Sequence, residues 1–329
     1  MKTTGKVTLW FLAALVSVGA DATLAAQEAP RFTEILPLTN QEMRLRLNAP
    51  TGLTYRVEVS TNLARWVPLI TVRTNQSTLQ HADSAAPFLD SRFYRALQLA
   101  DPNVLTGDHL ETTDGEVIIH PIDHATLLMV WNGRAIYVDP VSTGRAGQTL
   151  DYRSLPRADL ILVTHGHSDH FDTNCITAIK ATNAVILAPS AVYQSLPGSL
   201  RSLTTVMTNG ATAQMLGLSI EAVPAYNPTK PYHPKGTGNG YVLTIGGKRI
   251  YVSGDTEDTP EMGALQGIDV AFLSMNQPYT MTVAEAVSAV REFRPGVVFP
   301  YHCQGTDLNN FKQKVGTDLG IEVRLRKWY

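Results

Sequence analysis

From Arg31 to Ala100 apolar and polar residues alternate with period two: Met43, Leu45 and Leu47 stand between polar neighbours, as do Tyr55, Val57 and Val59 in Tyr-Arg-Val-Glu-Val-Ser. Successive side chains of a strand point to opposite faces, so the pattern predicts half-buried antiparallel strands. Turn chemistry at Asn48-Ala49-Pro50-Thr51-Gly52 and Thr74-Asn75-Gln76-Ser77 separates them, and Phe93-Tyr94-Arg95-Ala96-Leu97 reads as the last. A small β-sandwich over residues 31–100 follows. After Asp101-Pro102-Asn103 the texture changes to apolar strands alternating with helical patterns, which argues α/β layering over residues 103–329.

In that second region, residues 125–131 and 135–138 are apolar and joined by Asn132-Gly133, a pair suited to a hairpin turn. Residues 159–163 form a continuous apolar strand running into Thr164-His165. A helix is predicted over 172–181, strands over 184–187 and 218–223, and a hairpin pairing 241–245 with 249–253 across Gly246-Gly247. Thr282 followed by Glu285 makes a capping box that opens a helix to Phe293, and Val297-Val298-Phe299 is a final buried strand before Pro300-Tyr301-His302. Histidines and aspartates thus fall just after strands.

At the N-terminus, Lys2 and Lys6 precede an apolar stretch from Val7 to Val18, and small residues follow to Ala25 and Ala26. This is the order of a secretory signal peptide over residues 1–26, with cleavage after Ala25 or Ala26. The run is short for a membrane span and no cysteine follows to carry a lipid, so a secreted or periplasmic protein without a stable membrane anchor is expected. With 44% hydrophobic and 17% charged residues the chain is neither disordered nor collagenous. Its 27 basic and 29 acidic residues give a net charge of −2 with no long run of one sign, so no nucleic-acid partner is indicated. Two cysteines, Cys175 and Cys303, cannot build a disulfide framework or a cysteine-rich zinc module.

The chemistry concentrates in Thr164-His165-Gly166-His167-Ser168-Asp169-His170. In a turn after a strand, His165 and His167 can face one ion while Asp169 and His170 turn towards a second. Neutral imidazole and carboxylate suit zinc, manganese or iron. A lone histidine would be read as structural; three with an aspartate at this spacing point to metal.

This segment resembles the His-x-His-x-Asp-His motif of the metallo-β-lactamase fold superfamily, an αββα sandwich, and the resemblance runs from about His120 to His302. His124-Ala125-Thr126, Asp139-Pro140, Gly254-Asp255-Thr256 and Pro300-Tyr301-His302 are similar to the branch of L-ascorbate-6-phosphate lactonase and N-acyl-phosphatidylethanolamine phospholipase D. The resemblance implies that His165, His167 and His233 hold a first ion, that Asp169, His170 and His302 hold a second, and that Asp255 bridges both. It implies that Asp139 is a buried carboxylate supporting the His-x-His turn. His124 is expected as a group behind the ligands or a proton donor facing the substrate, or else as a hydrogen-bonded structural histidine, and Cys303 as a bare buried thiol, a metal contact or a partner of Cys175. The earlier Tyr-Arg-Val-Glu-Val-Ser-Thr-Asn-Leu-Ala-Arg-Trp and Arg-Phe-Tyr-Arg stretches resemble fibronectin-type-III-like modules of secreted bacterial proteins. There Tyr55 and Trp66 read as core aromatics, with a glycan-stacking platform as the alternative.

The expected function is a secreted hydrolase with two divalent transition metal ions, zinc or manganese, whose shared hydroxide attacks a lactone, ester or phosphodiester of a small molecule, with Asp169 orienting the nucleophile. The contrasting class is a catalytically inactive surface or carbohydrate-binding protein. A β-lactamase, and a flavodiiron-like oxidoreductase with glutamate in place of His167 and an added flavin domain, fit the motifs less well.

Overall fold

A computed structural model of the chain describes residues 30–101 and 104–329. The segment expected as a signal peptide lies outside the described residues, as do Pro102 and Asn103. The chain divides into two compact units, Met1–His109 and Leu110–Tyr329. Among the described residues no helix is long and apolar enough to cross a membrane.

The first unit is built from strands β1 (Arg31–Pro37), β2 (Met43–Asn48), β3 (Thr54–Ser60), β4 (Val67–Arg73), β5 (Thr78–Asp83), β6 (Phe93–Leu99) and the start of β7 (Gly107–Glu111). One sheet has the order β1-β2-β5; in the other, β3 pairs with β4 and β6, and β4 takes β7 through Ile70↔Asp108 and Thr71↔Gly107. Every one of these pairings is antiparallel. The alternating residues supply the core: Leu45, Val57, Val59, Leu69 and Ile70 are buried together, with Phe32, Leu79 and Tyr94 packed against them. Tyr55 is buried beside Leu47 and Ala49, and half-buried Trp66 carries the Arg95 guanidinium 4.7 Å above its ring. Tyr55 is therefore a core residue, and the Trp66 ring is engaged by a cation–π contact.

The second unit layers two sheets. Strands β8 (Glu116–Asp123), β9 (Thr126–Trp131), β10 (Arg134–Val138), β11 (Ala158–Leu162), β12 (Lys180–Ala188) and β13 (Thr204–Val206) lie side by side in that order, antiparallel from β8 to β10 and parallel from β10 to β13. Helices α1 (Thr173–Ile179), α2 (Ser190–Ser195) and α3 (Gly198–Arg201) fall within this half. The second sheet runs β14 (Thr212–Met215), β15 (Leu218–Ala225), β16 (Gly238–Ile245), β17 (Lys248–Val252), β18 (Val270–Ser274), β19 (Val297–Tyr301) and β20 (Glu322–Val323), antiparallel to β17 and parallel beyond. It carries α4 (Pro260–Gly263), α5 (Val283–Phe293) and α6 (Leu308–Val315).

One buried cluster takes Ile119, Leu127, Ile136 and Val138 from the first sheet and Ile220, Leu243, Val252 and Phe272 from the second. Tyr137, between Ile136 and Val138, points to the opposite face and meets Tyr152 at 6.0 Å, while Tyr251 meets Phe293 of α5 at 6.1 Å. The result is the mixed α/β sandwich with outer helices that the resemblance implies. The Asn132-Gly133 hairpin forms with φ of 48° and 74°, two successive left-handed residues of the kind a tight hairpin turn requires. The capping box at Thr282 and Glu285 is present.

Two expectations are corrected. The helix predicted over 172–181 ends at Ile179, because Lys180 enters β12 and pairs with Ala158; Asp172 caps it by accepting from the Asn174 and Cys175 amides. The strand at Val297 is not the last, since Glu322–Val323 adds to it as a two-residue strand too short to show a period.

Candidate metal centre

Topology gathers the polar residues on one rim. The parallel strands β10, β11, β17, β18 and β19 deliver their carboxyl ends there, followed by Asp139, the 164–170 turn, Asp255 and His302. β9 and β16 run the other way, so the same rim receives what precedes them, His124 and the His233 loop. Ligands on the carboxyl edge of a sheet are the usual outcome of such winding. His124, Asp139 and His302 all have left-handed backbones, with φ of 52°, 46° and 42°. Such conformations are costly for residues with a Cβ and persist where the surroundings hold them.

The side chains converge. His165 Nε2 lies 3.0 Å from His167 Nδ1, and ligand atoms of His165, His167 and His233 are all within 4.8 Å of one another. The same holds for His165, His170 and Asp255, and for His124, Asp169 and His302. Asp255 joins the groups: Oδ1 is 3.5 Å from His170 Nε2, and Oδ2 is 3.3 Å from His233 Nε2 and 3.5 Å from His302 Nε2. Asp169 Oδ2 stands 3.3 Å from His124 Nε2 and 3.5 Å from His302 Nε2.

A second layer of groups orients the rings. Asp139, fully buried, accepts from the Thr164 amide and hydroxyl at 2.7 Å each and from His170 Nδ1 at 2.7 Å. Asn227 Oδ1 accepts from His233 Nδ1 at 2.6 Å. Both bonds place the proton on Nδ1 and turn the Nε2 lone pair inwards, as a metal-binding imidazole needs. His170 Nε2, His233 Nε2, both nitrogens of His302 and Asp255 Oδ1 are buried without any hydrogen-bond partner. Such orphans are rare in a folded interior, and Nε2 of His170, His233 and His302 each lies within 3.5 Å of an Asp255 oxygen. Burial holds His165 well below the ordinary imidazole range and lowers His233 too, keeping both neutral donors. Burial opposes charge on Asp255, but His302, His170 and His165 hold it well below the carboxylate range; in turn Asp255 and Asp139 raise His170 against its own burial. The donor set, nitrogen and carboxylate oxygen around a centre that favours positive charge, fits a divalent transition metal.

All seven residues expected as ligands therefore lie at this rim. His124 is at the rim as well, in contact with Asp169, where the sequence left its role open. The cysteines are separate buried thiols, each pushed up to about 12 chiefly by burial. No converging ligand group among the described residues includes Cys303. Asn227 and Tyr329, whose hydroxyl lies 2.8 Å from His124 Nδ1, carry no motif that would have marked them.

Residues 119–302 match the family described as the β-lactamase superfamily domain. The chain belongs to that superfamily. The UPF0173 metal-dependent hydrolase of Thermococcus onnurineus is 32% identical over 212 residues, 61% of this chain and 93% of that protein. The counterpart of the same name from Thermus thermophilus is 32% identical over 192 residues, 56% of this chain and 83% of that one. A solved structure from Parabacteroides distasonis superposes with a TM-score of 0.63 at 41% identity, covering 68% of this chain and 100% of that one. Igni18, a metallo hydrolase from Ignicoccus hospitalis, gives a TM-score of 0.54 at 26% identity over 64% of this chain and 95% of its own. The chain is thus a member of the UPF0173 metal-dependent hydrolase family. Every residue of the centre from His124 to His302 lies inside the matched span.

Proposed function

We propose that this chain is an exported hydrolase that uses two divalent transition metal ions, zinc or manganese, to cleave a lactone, ester or phosphodiester of a small molecule. The observation that carries the reading is the convergence of orphaned nitrogen and carboxylate ligand atoms on one rim. His165, His167 and His233 would hold one ion, Asp169, His170 and His302 the other, with Asp255 between them. Bound there, the ions supply a water that ionises near neutral pH and positive charge for a developing oxyanion. Asp169, half-buried at the cavity edge, accepts a proton and aligns the attacking oxygen. Burial works to raise it, but the hydrogen bond from His124 and the nearby His302 outweigh burial and keep it ionised, an acceptor throughout. The branch resemblance favours lactones and phosphodiesters, and a fibronectin-type-III-like first unit would serve to dock or space the enzyme.

Hydrolysis of a simple lactone beside an aryl phosphodiester, by protein reconstituted separately with zinc and manganese, tests this. Turnover of one substrate, lost on chelation and restored by the ion, is expected. Asp169→Asn should reduce it by about 10²- to 10⁴-fold, the span of a general acid–base contribution. Active protein free of transition metal would overturn the reading.

A further inference from the structure

His124 Nε2 is one of three ligand atoms in the group with Asp169 and His302, so its proximity alone would make it a metal ligand. Its other nitrogen argues otherwise. Tyr329 Oη lies 2.8 Å from His124 Nδ1 and accepts from the Cys303 backbone N–H at 2.9 Å. A backbone N–H can only donate. With one acceptor position taken by that fixed donor, the phenol keeps its own proton to give to His124 Nδ1. At the far end, Asp169 ionised is acceptor-only, and His124 Nε2 stands 3.3 Å from its Oδ2. A proton on Nε2 satisfies both ends at once: Asp169 receives a donor, and Nδ1 is left to accept from the phenol.

We infer that Tyr329 is a positioning residue that locks His124 with its proton on Nε2, so that His124 donates to Asp169 and aligns this carboxylate instead of coordinating metal. The backbone supports the geometry: the His124 amide donates to the Trp328 carbonyl at 2.8 Å, and the His302 amide donates to the His124 carbonyl at 3.0 Å. The His124 ring also lies against His302, with centroids 3.7 Å apart and the planes tilted by 36°. The role of Asp169 in this inference rests on the hydrolase reading above, but the tautomer does not.

Long-range proton–nitrogen NMR on the full chain with ¹⁵N-labelled histidine, before and after zinc loading, reads the tautomer without any substrate. The expected result is a protonated Nε2 and an unprotonated Nδ1 for His124 in both states. A proton on Nδ1, or a metal-shifted Nε2 after zinc loading, overturns the inference. Tyr329→Phe should leave zinc content unchanged while His124 becomes a mixture of tautomers, and kcat should fall by about 10-fold with KM unaltered, the cost of losing one hydrogen bond near 1.4 kcal/mol. His124→Gln, which keeps a donor where Nε2 stood, should recover most of the turnover lost in His124→Ala with zinc content equal in all three. Loss of one zinc equivalent in His124→Gln identifies a ligand and defeats the proposal. Should neither test substrate turn over, the hydrolase reading fails and the nitrogen shifts still decide the tautomer.

Discussion

At the scale of single residues, most of the centre depends on groups that never touch an ion. Asp139 holds the Thr164 amide and hydroxyl and the His170 ring at once, inside a site closed to water. Asparagine there keeps one acceptor but presents an amide to donors, so Asp139→Asn should weaken zinc binding about 10- to 100-fold, the usual effect of losing a ligand's supporting partner. Competition with a chromophoric chelator measures this; unchanged affinity would contradict the assigned role. Arg145 lines a cavity of about 610 Å³ beside His124 and Asp169, its amide held by Asp123 at 2.7 Å and its Nε by Gln304 at 2.9 Å. Arg145→Ala should raise KM for the anionic phosphodiester by about 10-fold, the order of a hydrogen bond to a charged group, and leave a neutral lactone unaffected. An equal change on both substrates would remove the charge contact. Asp139 and, of the histidines expected as ligands, His165, His167, His170 and His302 were legible because they sit in short motifs after apolar strands; His233, in the loop ahead of β16, was reached only through the resemblance. Asn227 and Tyr329 were not, since their partners are 6 and 205 residues away and nothing local marks the pairing.

Among elements, what was legible is what repeats. Period-two alternation gave the strands of the first unit, and Asn-Gly gave the β9–β10 turn. Pairing across long separations was hidden: Lys180 is pulled out of a helical run by Ala158, and β20 exists only because β19 offers an edge. The Asp83–Arg92 pair is another such contact, joining the end of β5 to the entry of β6. The Asp83 carboxylate is fully buried, with Arg92 Nε at 2.7 Å and Tyr94 Oη at 2.9 Å. Burial acts to raise Asp83, but Arg92 and Tyr94 outweigh it and the group is lowered. A carboxylate lowered on folding adds stability above its unfolded value, near 3.9, and that stability fades as pH drops through the folded value. Asp83→Asn should cost about 3–5 kcal/mol, the usual penalty for leaving one member of a buried pair unmatched. It should also flatten the acid limb below pH ~4, where the wild-type pair is lost. Hydrogen exchange at β5 and β6 amides in the full chain is the readout, and equal protection in the variant would refute it.

For the molecule as a whole, the ions should matter to stability as well as to chemistry. Orphaned buried ligand atoms are unfavourable until something binds them, and a ligand that prefers the folded state stabilises it by about 2.7 kcal/mol at one hundred times its dissociation constant. Calorimetry of zinc-loaded and chelator-treated protein should show a lower midpoint without metal, and equal midpoints would speak against a resident ion. The ligand set is also divided along the chain: residues 124–170 hang from one sheet of the second unit and residues 233–302 from the other. A growing or unfolded chain therefore carries two incomplete half-sites, neither able to grip an ion as the closed sandwich does. If the proposed export precedes folding, the choice of metal would belong to the compartment where the two sheets meet, and the supply of ions there, more than at the ribosome, would decide which enzyme is made.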